Sequence, residues 1–443
     1  MKLHKYKLID VATCEISNID KKTKSGEQSV RLCNFTDVYY NWAVTKSMSE
    51  KFMVATASDS QISKLSLKKG QVAITKDSET RHDIGIPCYI AVTLKDCVLG
   101  YHCALITPNP ELLDGRYLNA YLNSKLAKEY FANNASGSGM RYSLPIDAIK
   151  NIVLYLPDIE TQRAVGKIFS NIDRKIALNR EINRNLEVMA RQLYDYWFVQ
   201  FDFPDENGRP YKSSGGAMKF DKALGIEIPA EWEIDRLNTF ITSNNTGDWG
   251  YDGDNEHRMP VGCIRGADIV KLNDVPLRYI KKTNTHKLLS PYDIVIEVSG
   301  GSPVQATGRC AYITPGVIKR NYGNMTCSNF CHAFRMKTIE SSAYFYFTWK
   351  TLYDNNIMFN FEGKTSGIKN FMTETFLANK WYVAPDILQK LFFNRISNIF
   401  SIIDSNIEEI NHLIKQRDEL LPLLMNGQVS VMPSEVNCDL SHD

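Results

Sequence analysis

Three short stretches of this 443-residue sequence combine residue types that do chemistry in other settings. "EGKTSG" (Glu362 to Gly367) sets a lysine and a hydroxyl beside glycine, as a phosphate-cradling loop does. Such a loop also needs a glycine five residues before Gly363, and Met358 stands there. "GSGMRY", from Gly137, opens like a dinucleotide loop but lacks the third glycine and follows no strand of the right kind. Cys327, Cys331 and His332 are metal-ligating types, yet no second Cys-x-x-Cys pair stands near them to complete a tetrahedral site. The other cysteines are scattered, so they read as buried thiols acting as small hydrophobes, and no structural zinc is expected. No cluster of carboxylates and lysine at nuclease spacing stands out. Neither a catalytic residue nor a metal ligand is assigned.

Length and pattern set what must hold such stretches. One core rarely fills 443 residues, which predicts two or three domains. The chain is 23% charged and has no apolar run of membrane-spanning length, so a globular class is expected and a membrane span is not. Its opening, "MKLHKYKLIDVATCEISN", has no apolar region of a secretory signal, which makes the cytoplasm the expected compartment.

The sequence resembles itself. "GSGMRYSLPIDAIKNIVLYLPDIETQR" lies against "KTSGIKNFMTETFLANKWYVAPDILQK", pairing Gly139 with Gly367 and Pro157 with Pro385 at an offset of 228. "IFSNIDRKI" matches "IFSIIDSNI" at 231, "LKKGQVAIT" resembles "LSPYDIVIE", and "HCALI" resembles "CHAFR" at 229. The pieces keep their order, which reads as a diverged tandem duplication.

Each copy has two parts. Residues 1–157 and 231–385 mix strand-like runs such as "QVAIT" and "DIVIEV" with a few helical stretches, the pattern of an α+β domain. Residues 158–200 and 386–427 are expected to form two long helices, the first about 60 Å long at 1.5 Å per residue. Residues 201–230 hold Gly, Pro, Ser and Asn in clusters and read as a linker, and 428–443 as a tail. In the second helix Ile403, Ile407, Ile410, Ile414, Leu421 and Leu424 alternate by four and three, a narrow seam facing another helix. The same register in the first gives Ile172, Ile176, Asn179, Asn183, Leu186, Ala190 and Leu193. The asparagines read either as a partly solvated side or as a buried pair that fixes register.

Pro422 is expected to kink or end the second helix near Leu421, with Asn426-Gly427 as a left-handed stop. The apolar residues at the helix ends, Leu193, Tyr194, Trp197 and Phe198 in one and Leu421, Leu423, Leu424 and Met425 in the other, need cover. Packing on a domain of the same chain and docking to another subunit are both open.

Taken in order, "LPDIETQRAVGKIFSNIDRKI", "LYDYWFVQFDFP", "GRPYKSSGGAM", "IPAEWE" and "LLPLLMNGQVSV" resemble the specificity (S) subunits of type I restriction-modification systems across essentially the whole chain. That resemblance implies a non-catalytic subunit with two similar, α/β-mixed target recognition domains, each reading one half of a split sequence in double-stranded DNA. Two long antiparallel helices separate the domains in a pseudo-twofold arrangement, and the apolar helix ends dock two methyltransferase (modification) subunits. Restriction or translocase subunits are further partners where a system includes them. The chain itself is expected to hold no cofactor, S-adenosylmethionine, ATP and Mg entering through other subunits. An adenine methyltransferase would need an Asn-Pro-Pro-Tyr-like tetrapeptide, and "TPNPELL" at Thr107 lacks it.

Arg, Lys, Asn and Gln carry most direct base readout, so polar loops are the candidate DNA contacts. In the first domain these are Lys76, Arg81 and His82, with Ser138, Arg141 and Tyr142. In the second they are Ser302, Gln305, Thr307 and Arg309, with Lys364, Thr365, Ser366 and Lys369. Charge argues the other way. The formal net charge is only +2, where phosphate neutralisation favours a basic protein. Residues 1–156 carry 20 Lys+Arg against 15 Asp+Glu, whereas residues 201–385 balance at 21 against 20. The alternative is a tandem-repeat scaffold whose helices bind proteins and whose domains do not bind DNA.

Overall fold

The strand Val72–Thr75 shows how the first domain is built. All four residues are buried, and they alternate between two cores. Val72 and Ile74 face Tyr117, Leu118 and Phe131, while Ala73 faces Leu32, Val44 and Leu105. Its neighbour Cys103–Pro108 alternates the same way, as a strand covered on both faces must. The computed structural model describes residues 2–300, 304–365, 368–425 and 428, with the backbone alone at 364 and 365. Two compact units emerge: Met1–Leu178 with Ile410–Asp443, and Asn179–Glu409.

In the first unit a five-stranded sheet runs in the order Ala12–Ile16, Cys103–Pro108, Val72–Thr75, Pro87–Ile90, Ala43–Val44. Beside it lie a three-stranded sheet (Met53–Ala57, Gln28–Cys33, Cys97–Leu99), a hairpin sheet (Ser136–Ser138, Arg141–Ser143, Asp77–Ser78) and the pair His4–Lys7 with Val153–Leu156. The second unit repeats this set. Its main sheet is Ile241–Thr246, Cys331–Met336, Ile294–Glu297, Cys310–Tyr312; its small sheet is Leu277–Lys281, Arg258–Ile264, Met325–Cys327. Its hairpin sheet is Glu362–Thr365, Ile368–Phe371, Ser299–Gly300, and Glu233–Arg236 pairs with Lys380–Val383.

The ladders correct the sequence alignment by one residue in two places. Thr75 pairs with Cys103 and Glu297 with Cys331, so those strands correspond at offsets of 222 and 228, not 229 for the second. Tyr142 faces Ser78 as Lys369 faces Gly300, which sets the hairpins at 227 rather than 228. A single-residue slip matters because it moves every side chain to the opposite face.

Two long helices run as the seam predicts: α1, Ile159–Tyr194, and α2, Asp386–Met425. A π-helical turn, Asp195–Val199, extends α1. Within the second unit Asn179 Nδ2 donates to Glu409 Oε2 (2.8 Å), Asn406 Nδ2 to Asn183 Oδ1 (2.7 Å) and Asn183 Nδ2 to the Ile403 carbonyl (3.4 Å). Numbers rise on one helix as they fall on the other, so the segments are antiparallel there. Both asparagines are buried, and the solvated reading of them fails. In the first unit Ile172 and Ile176 cluster with Ile410, Leu413 and Ile414.

Two further expectations need correction. Pro422 does not end α2 at Leu421, because it stands in the last turn, where its missing N–H removes one hydrogen bond without breaking a following turn. The expected stop at Asn426-Gly427 lies outside the described residues. Residues 201–230 are not an open linker: Met218–Asp221 and Ile226–Pro229 form a hairpin, and Phe201, Ile228 and Trp232 are buried in the second unit's core. Their polar neighbours make the turns between these anchors.

The helix ends are largely covered by this chain itself. Tyr194, Trp197 and Phe198 are at most 4% exposed in the core of the second unit, and Leu421, Leu424 and Met425 enter the core of the first. A side chain already enclosed in its own domain has no area left for another subunit. Of that docking set only Leu423 is exposed, and Leu193 is half-buried.

All nine described cysteines are free thiols, eight of them buried. Burial pushes the Cys14 thiol up to about 11 and Cys103 up to about 12. The thiolate is the nucleophile, so at pH 8 iodoacetamide should leave all nine unmodified in the native protein and label them after denaturation, as read by peptide mass spectrometry.

Candidate nucleic-acid interface

A cleft of about 1120 Å³ opens on the first unit. The hairpin forms one wall, with Met140, Arg141, Tyr142 and Ser143 lining it. Opposite are the helix Phe35–Tyr39 and the turn at Tyr101 and His102, while the segments around Lys21 and Lys76–Thr80 complete it. Gly137 is needed for this shape. Its φ is +125°, and a Cβ there would meet the Arg141 carbonyl oxygen at 2.1 Å.

The hairpin is pinned at its base by charge. Lys76 Nζ lies 3.1 Å from Asp77 Oδ1 and donates to Ser143 Oγ (3.2 Å), and His102 Nδ1 sits 2.6 Å from Asp77 Oδ2. Burial alone would raise the Asp77 carboxyl, but hydrogen bonds from Ser143, His102 and Lys76 outweigh it and hold it below its ordinary 3.8. A depressed carboxyl contributes stability at neutral pH and loses it as pH falls through the folded value. Tyr39 donates to Asp83, and that bond pushes the phenol up to about 12.

Lys76, Arg141 and Tyr142 therefore meet at one cleft, and Arg81 stacks over the Tyr142 ring at 5.5 Å. Lys76 is a clamp, with a side chain only 16% exposed. Ser138, Arg141 and His82 are exposed. Sequence reasoning passed over Asp77, Asp83, Tyr39, Tyr101 and His102, because a search for base readers does not select carboxylates, and Tyr39, Tyr101 and His102 lie outside the loops it singled out.

The second unit uses its polar residues differently. The Thr307 N–H donates to Glu362 Oε1 (2.7 Å) and Lys369 Nζ lies 3.0 Å from Glu362 Oε2. Burial would raise the Glu362 carboxyl, but the Thr307 N–H and Lys369 bonds hold it below its usual range. Arg309 is bidentate on Glu297 at 2.7 Å to each oxygen. Thr307 is 2% exposed, and the Arg309 and Lys369 side chains 18% and 17%. Expected as base contacts, these three instead tie the hairpin and its neighbouring loop to the sheet, since each is matched to a carboxylate inside the fold. Gln305 remains exposed. Ser302, Ser366 and the side chains of Lys364 and Thr365 lie outside the described residues.

Known proteins align with this architecture. The family model for the type I restriction modification DNA specificity domain matches residues 6–188. The type I restriction enzyme MjaIX specificity subunit of Methanocaldococcus jannaschii is 24% identical over 376 residues, 82% of this chain and 78% of that protein. The HindI specificity subunit of Haemophilus influenzae is 34% identical over 140 residues, 31% of this chain and 30% of that one. The crystal structure of a type I restriction-modification S subunit from M. genitalium shares the fold, with a TM-score of 0.53 and 14% identity over 98% of this chain and 97% of that one.

Proposed function

We propose that the chain is a specificity subunit of a type I restriction-modification system, a reading supported by the family match over residues 6–188 and by a specificity subunit alignable over 82% of the chain, and that it reads a bipartite DNA target, one half through each unit. The recurrence of one set of strand pairings, each with a hairpin beside its main sheet, carries this reading. Residues 1–157 and 231–385 are then two target recognition domains from a tandem duplication. The helices are the spacer between them. The chain is non-catalytic and works in the cytoplasm, with S-adenosylmethionine, ATP and Mg handled by other subunits. Among the described residues, no helix is long and apolar enough to cross a membrane. The test is to purify the chain with its methyltransferase subunits and map methylated adenines in treated DNA. A split motif with a fixed gap, lost when this chain is omitted, is the expected result; unchanged preference after exchange of both domains with those of a relative would refute it.

The methyltransferase subunits need a surface that the chain has not already used. On α1 in the second unit and the π-helical turn that extends it, Ile182, Met189 and Tyr196 recur every seven residues and are 36%, 55% and 38% exposed. Met189, Leu193 and Tyr196 also line a groove of about 590 Å³ with Arg395, Asn398 and Ile399 of α2. An amphipathic helix seated by such spacing is a common mode of recognition. Met189→Asp should abolish co-purification of one methyltransferase subunit while leaving the circular dichroism spectrum of the chain unchanged.

A further inference from the structure

The corrected hairpin register puts Arg141 of the first unit and Ile368 of the second at the same ladder position. Arg141 pairs with Ser138 next to the hairpin turn, and Ile368 pairs with Thr365 likewise. Both are exposed, Ile368 by 49%. The Arg141 side chain has no hydrogen bond or ion pair among the described residues, and it lines the cleft. Around each of them the neighbouring polar groups are held inward, by the Lys76–Asp77–Ser143 clamp in one unit and the Lys369–Glu362 pair in the other. What an arginine and an isoleucine have in common at one position is exposure and not charge. A phosphate contact needs a donor at both, and isoleucine has none. A base edge accepts either, since arginine pairs with the O6 and N7 of guanine and an apolar side chain packs on the C5-methyl of thymine. A two-stranded ribbon also fits the major groove, about 12 Å wide, where both of those groups are displayed.

We propose that this hairpin position reads one base pair in each half-site with different chemistry: Arg141 a guanine in the half bound by the first unit, Ile368 a thymine in the half bound by the second. The assignment rests on the reading of the two units as recognition domains. Its test uses the assembled complex of this chain with its methyltransferase subunits, selecting binding sites from a random duplex library. Arg141→Ala should relax preference at one guanine position of one half-site, by roughly 5- to 150-fold, the usual range for a lost base contact. Ile368→Ala should relax one thymine position of the other half-site, by about fourfold, as for loss of contact with one methyl group. Replacing that guanine by 7-deazaguanine, or that thymine by uracil, should weaken wild-type binding and leave the matching variant unaffected. Both side chains are exposed, so neither change threatens folding, and Ile368→Val should retain the thymine preference. Unchanged preferences in the variants would overturn the assignment. So would a loss in Arg141→Ala that is uniform over all sequences with a shallower salt dependence, the signature of a phosphate contact. A wild-type complex with no sequence preference would instead overturn the recognition reading itself.

Discussion

Phe198→Ala should destabilise the second unit by about 3–5 kcal/mol, the cost of emptying a large buried aromatic site. Phe198 is fully buried and touches rings from four parts of the unit. Its ring centroid lies 4.8 Å from Tyr344, 4.9 Å from Phe392, 5.4 Å from Tyr194 and 6.0 Å from Trp232. Its carbonyl accepts from the Tyr382 hydroxyl at 2.8 Å. Edge-to-face contacts of this kind add to the area term, and a packed aromatic cluster collapses poorly around a hole. Five of the six tryptophans lie in the second unit, so urea unfolding followed by tryptophan fluorescence reports mainly on it. A midpoint unchanged from wild type would mean that the end of α1 is not part of that core.

Arg320→Ala should cost a similar amount, about 3–5 kcal/mol, for an electrostatic reason. Arg320 Nη1 lies 2.6 Å from Asp404 Oδ1, with the two side chains 8% and 12% exposed. Thr314 Oγ1 donates to Asp404 Oδ2 at 2.5 Å, and Gly316 leaves room for the carboxylate, since a Cβ there would meet Asp404 Cγ at 2.3 Å. Removing the arginine leaves a buried carboxylate without its counter-charge, which is far worse than never having had the pair. The double variant Arg320→Met/Asp404→Leu should therefore recover most of the loss. Thermal unfolding of the three proteins decides it: equal losses in the single and double variants would show that packing and not charge is at stake.

Local signals made much of the fold legible in the sequence. The four-three spacing found the part of the seam where Ile172, Ile176, Asn179 and Asn183 meet α2, because a helix writes its buried face into its own neighbours. Leu421 and Leu424, read as part of that seam, lie instead in the core of the first unit. The strand "VAIT" declared itself by composition. Residues that meet across the chain were harder to judge. Arg309 and Lys369 look like free cations until Glu297 and Glu362 are seen beside them, and only the fold brings together Thr307 and Glu362. Tyr194, Trp197 and Phe198 were recognisable as needing cover, but an apolar residue does not record whether its cover is the same chain or another. The stretches around Gly139 and Gly367 were read as loops and not as hairpins, and matching those two glycines put them one residue out of step, because ladder register is a property of paired backbones.

The burial of Leu421, Leu424 and Met425 in the first unit has a consequence for biosynthesis. That core includes Leu8 and Val11 at one end of the sequence and cannot close until the last turns of α2 have left the ribosome. Residues 179–409, the whole second unit, are made in between. At 5–20 residues per second the wait is roughly ten to fifty seconds. During it the nascent chain presents an apolar slot shaped for its own distant end. The interval is a window for chaperones, and a transcript truncated before codon 421 yields a first domain that stays open there.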